Sequence, residues 1–98
     1  YCDLLGFDLM TRYGNQASFV AAGGYHHHLG LNVWAGIGAP PPGPDMARLI
    51  RYEILLPNEE ALVAVVHRLQ LAGHNVKQEG SSFFTQDPSQ NQIELKVA

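Results

Sequence analysis

The chain has 98 residues, 46% of them hydrophobic, and 6 basic against 9 acidic side chains give a formal net charge of −3. That length supports one core rather than two, and that composition excludes a wholly disordered chain. The acidic balance gives no reason to expect nucleic acid or an anionic membrane as a partner, since both need a basic surface. A single cysteine, Cys2, rules out an internal disulfide and fits a reducing, cytoplasmic setting. No apolar run approaches the roughly 18–20 residues of a membrane-spanning helix.

Taken in chain order, "YCDLLGF" reads as the last turn of a helix that stops at Gly6. It lacks an initiator Met, and the chain reads as a fragment that begins inside an element. Residues 7–14, "FDLMTRYG", alternate apolar and polar side chains as a strand does, with a turn at Gly14-Asn15. "ASFVAAGG" is a second strand and "YHHHLGLNVW" a third. On an extended strand His27 shares a face with Leu29, Leu31 and Val33, while His26 and His28 point to the other face. Residues 35–47 hold Pro40, Pro41, Pro42 and Pro44 among glycines, which suits a linker and not a ladder.

Residues 48–57, "RLIRYEILLP", form the next expected strand. "NEEALVAVVHRLQLAG" is the clearest helix. Asn58 is a good N-cap, Glu59 and Glu60 suit the positive end of the dipole, and Gly73 ends the run. Leu62, Val65, Val66 and Leu69 make its apolar stripe. "HNVKQEG", "SSFFTQDP" and "NQIELKVA" are three short strands, with a turn over residues 87–91. The pattern repeats. Both halves place a helix ending in glycine ("LLGF", "LAGH") before three strands, and the first half lacks an opening strand and most of its helix. The organisation expected is α+β: an incomplete first βαβββ unit over residues 1–34, a linker over 35–47 and a second βαβββ unit over 48–98.

This duplicated unit resembles the vicinal oxygen chelate superfamily of glyoxalases, bleomycin-resistance proteins and extradiol dioxygenases. "YCDLLGFDL" looks like the family's helix-to-strand junction, and "DPSQNQIEL" like its closing turn and strand. "GGYHHHLGLNVWAG", the proline-rich loop and "RYEILLP" look most like the C-terminal half of a bacterial catechol-2,3-dioxygenase-like protein. The resemblance covers essentially the whole chain. It implies iron(II) or another divalent metal held in the intact protein by two histidines and a glutamate, a facial triad with positions left for substrate and oxygen. Glu94 matches that glutamate. One histidine position falls before Tyr1, and the other falls at Arg51, a permanent cation that cannot ligate a metal. The resemblance also implies that His27 is an acid/base close to a bound catechol.

Each of these assignments has a plainer reading beside it. The three histidines could be a purification tag, a metal site through His26 and His28, a proton-transfer group at His27, or structural residues of a cleft wall. Their place in a patterned stretch argues against a tag. Glu94 is a metal ligand, a solvated residue, or the partner of Arg51 in an ion pair that replaces the metal. His26, His28, Asn32, Arg51 and Tyr52 are the expected cleft lining. Trp34, Tyr25, Phe83 and Phe84 serve the core or the cleft, and His67 and His74 are a helix side chain and a turn residue. Two functions follow. One is part of a ring-cleaving, Fe(II)-dependent extradiol dioxygenase. The other is a metal-free module that binds an aromatic ligand, or a degenerate non-catalytic half. The expected partners are a small aromatic molecule and, through the sheet edge left by the missing strand, a second copy in a homodimer or strand-swapped assembly.

Overall fold

The proline run marks a boundary in the computed structural model, which describes residues 1–98: Tyr1–Pro40 is one compact unit and Pro41–Ala98 the other. Length alone argues for one core, but buried apolar side chains lie in both units.

The second unit has the strand order β4-β7-β6-β5, with one helix. Its elements are β4 (Tyr52–Leu56), α1 (Glu59–Leu71), β5 (Lys77–Glu79), β6 (Ser82–Gln86) and β7 (Gln92–Val97). The chain leaves β4, crosses through α1 to the far edge, and returns strand by strand until β7 lies parallel to β4. The helix forms where the sequence specifies it. Asn58 Oδ1 accepts the Ala61 N–H at 2.8 Å, which satisfies one of the free donors of the first turn. At the other end, Gly73 adopts φ 85°, a conformation costly for any residue with a Cβ. There the His74 N–H reaches the Leu69 carbonyl and the Gly73 N–H the Gln70 carbonyl, both at 3.0 Å, a Schellman closure.

The stripe Leu62, Val65, Val66 and Leu69 is buried, together with Ile93 and Leu95 of β7. Full burial of one such side chain contributes about 1.5–3 kcal/mol. The register pairs Tyr52 with Ile93 and Ile54 with Leu95, so these residues share the helix-covered face. Glu53, Glu94, Lys96, Ser82 and Phe84 lie on the opposite, helix-free face. The strand expected over residues 48–57 is shorter than its pattern: Arg48 to Arg51 stay outside the ladder.

The first unit is a three-stranded antiparallel sheet in the order β1-β2-β3, from β1 (Asp8–Tyr13), β2 (Ala17–Ala21) and β3 (Leu29–Asn32). Its register shifts between Leu9 and Thr11, which leaves Met10 as a bulge. Residues 1–6 make a single turn, closed by the Gly6 N–H on the Cys2 carbonyl at 3.0 Å, with Gly6 at φ 86°. The third strand begins at Leu29, not at the histidines. Gly23 and Gly24 take φ 70° and 77°, so the chain turns there, and residues 25–28 approach β3 as a loop. The alternation of faces expected for His26, His27 and His28 therefore does not apply.

Leu62→Ala should lower unfolding stability by about 2–5 kcal/mol, because the helix contacts β4 and β7 through this stripe. Chemical denaturation of the two proteins measures the difference. A loss below about 1 kcal/mol contradicts the packing described.

Candidate functional site

Glu94 stands in the middle of β7, flanked by β4 and β6, and is only 7% exposed. A carboxylate cannot remain charged there without partners. The Ser82 hydroxyl donates to Oε1 at 2.8 Å. Arg51 Nε lies 3.2 Å from Oε2, and Lys96 Nζ lies 3.9 Å from Oε1. The same ammonium contacts Glu53 Oε1 at 2.9 Å. Two cations and two carboxylates thus form one charge-balanced network on the helix-free face. Arg51 reaches it from the residue just before β4, because β4 and β7 pair side by side in parallel. The ion pair weighed between Arg51 and Glu94 is present.

Ser82, Lys96 and Glu53 were not among the expected site residues. The signal for Lys96 was the alternation in "QIELKV", where Gln92, Glu94 and Lys96 recur at every second position while Ile93 and Leu95 fill the core; Ser82 and Glu53 come to it only through strand pairing. Tyr52, by contrast, pairs with Ile93 and so belongs to the helix-covered face, away from Glu94. His67 is exposed on α1 and His74 follows the helix end.

The histidine cluster belongs to the first unit. Tyr25 stacks on His28 with centroids 4.9 Å apart and lies tilted against His26 at 4.1 Å. His27 meets His26 edge-on at 4.8 Å and Phe19 edge-on at 5.1 Å. Phe19 in turn lies across the ladder from Gly30, where an added Cβ would come within 3.2 Å of its ring. Gly30 therefore makes room for the ring that supports His27. His28 Nδ1 accepts the Ala22 N–H at 3.1 Å, which assigns the neutral ring its proton on Nε2. Asn32 Oδ1 accepts the Trp34 N–H at 3.1 Å and so caps the turn after β3. All three histidines are exposed.

The iron implied by the resemblance does not fit these residues. Glu94 is already held by a guanidinium and a hydroxyl, and position 51 offers no ligand atom. No group of three or more His, Cys, Asp or Glu side chains is gathered to hold a metal ion. His27 and Glu94 belong to different units.

No known family profile matches the chain. A catechol-2,3-dioxygenase of Bacillus subtilis (strain 168) is 46% identical to it over 89 residues, which is 90% of this chain and 31% of that protein. The chain thus spans about a third of the length of this relative, in its C-terminal part. Among solved structures, a lactoylglutathione lyase from Agrobacterium tumefaciens matches with a TM-score of 0.69 at 16% identity, over 100% of this chain and 80% of that one. An integron cassette protein from the mobile metagenome of the Halifax Harbour sewage outfall matches with a TM-score of 0.70 at 13% identity, over 100% of this chain and 83% of that one. At such identities the likeness is one of fold.

Gly30→Val should push the Phe19 ring off its seat and release His27. Proton NMR of the His27 ring should then lose the upfield or downfield displacement caused by the neighbouring aromatic ring. Unchanged His27 resonances in a folded variant would contradict this support.

Proposed function

Starting from a chain that carries the vicinal oxygen chelate fold, we propose that it is a domain of a ring-cleaving extradiol dioxygenase-like protein, with no iron at the Glu94 network of its second unit. The observation that carries this reading is the 46% identity to a catechol-2,3-dioxygenase over 90% of the chain. The Arg51–Glu94 ion pair supports a second unit that takes no metal. The iron of the intact protein is then bound by residues outside the Glu94 network.

His27 is the proposed proton-transfer residue. Its imidazole is exposed and is supported by the edge contact with Phe19, and an imidazole can both donate and accept a proton at a catechol hydroxyl. Tyr25, His26 and His28 add aromatic surface beside it, on which a planar substrate can stack. The outer edge of β3 has no strand beside it within its own sheet, which supports assembly with a second copy through that edge. No helix is long and apolar enough to cross a membrane, and we place the protein in the cytoplasm, where its single free thiol would stay reduced.

A second reading is favoured by the closed Arg51–Glu94 pair: a metal-free module that sequesters an aromatic ligand without chemistry. Oxygen uptake and elemental analysis of the full-length protein separate the two. The dioxygenase reading predicts bound iron and oxygen consumed with catechol. It also predicts that His27→Ala lowers kcat/KM by about 10²–10⁴-fold with the iron retained. Absence of both iron and uptake overturns it. The binding-module reading then predicts a change in Trp34 fluorescence on titration with planar aromatic compounds.

A further inference from the structure

We infer that Arg51, with Lys96, is a built-in replacement for a divalent cation at Glu94, and that this replacement keeps the second unit from taking up metal. The inference deepens the proposed metal-free second unit. It rests on the geometry of the second unit and is tested without any catechol assay, so a failure of the dioxygenase reading leaves it standing.

A buried carboxylate at the centre of a sheet needs a cation close by, whether a metal ion or a protein group. Here Arg51 Nε occupies one oxygen at 3.2 Å, and Ser82 and Lys96 attend the other at 2.8 and 3.9 Å. Lys96 is itself fixed by Glu53 at 2.9 Å. The network is already neutral, so an entering divalent ion would bring two uncompensated positive charges next to two resident cations. It would also have to displace the guanidinium whose Nε lies 3.2 Å from the carboxylate. The exclusion is therefore local to one side chain. Removing the guanidinium and supplying an imidazole should reverse it, since imidazole beside carboxylate suits a transition metal.

Two measurements on this 98-residue chain test the inference. In the first, Mn(II) alone is added and followed by EPR of the free ion and by thermal melting. The native chain should leave the free-ion signal undiminished and its melting temperature unmoved. Arg51→His should remove part of the signal and melt higher with Mn(II) than without, and Glu94→Gln in that background should abolish both effects. One Mn(II) bound per native chain and lost in Glu94→Gln overturns the inference, as does a folded Arg51→His chain that binds none.

The second measurement is a thermal double-mutant cycle, which decides the matter should Arg51→His fail to fold. Arg51→Ala alone leaves a buried carboxylate short of its cation and should lower the melting temperature by roughly 4–8 °C. The 54% exposure of the arginine side chain keeps this loss modest. Arg51→Ala combined with Glu94→Gln should recover most of it. Additive losses from the two substitutions overturn the inference.

Discussion

A carboxylate buried at the centre of a four-stranded sheet constrains everything around it. Glu94 occupies the central strand β7, where the helix-covered side needs Ile93 and Leu95 and the other side is left to alternate residues. Once Glu94 is there, its neighbours must supply positive charge and hydrogen bonds. Ser82 arrives from β6, Lys96 from the same strand two residues on, and Arg51 from the approach to β4. Such a network adds little net stability, because desolvation offsets attraction. Its consequence is directional: with each partner in place the site is satisfied, and without one it is not.

The two units differ around a shared plan. Each contains three consecutive antiparallel strands, and the third strand of the second unit also pairs with β4. In the first unit β3 pairs with β2 alone within its sheet. Its buried side chains are smaller, Ala17, Val20 and Ala21, and every residue of β1 is exposed. What orders the surface here is an aromatic chain: Gly30 admits Phe19, Phe19 meets His27, and Tyr25 lies between His26 and His28.

Much of the second unit was legible in the sequence because its signals are local. Asn58, the 62–65–66–69 stripe and Gly73 specify start, face and stop of α1 within sixteen consecutive residues, and all three act as read. The alternation in β7 was equally local. The histidine loop was harder. Its apolar continuation reads as a strand, but Gly23 and Gly24 at positive φ decide the path, and a glycine permits that conformation without announcing it. The contact between Arg51 and Glu94 depends on the parallel pairing of β4 with β7, which no window of sequence contains. It could be named only as one alternative until topology placed the two residues side by side. Tyr52 fell on the helix-covered face for a similarly simple reason: it pairs with Ile93, whose side chain fills the core.

The closed Glu94 network is the observation on which the proposal of a metal-free second unit stands: the carboxylate is held by the chain's own cations. Anomalous diffraction at the iron absorption edge, from crystals of the full-length protein grown with iron(II), tests this most directly. The account predicts an iron peak bound elsewhere in the protein, with the Arg51 guanidinium still against Glu94. An iron peak bonded to a carboxylate oxygen of Glu94, with Arg51 turned away, would contradict it.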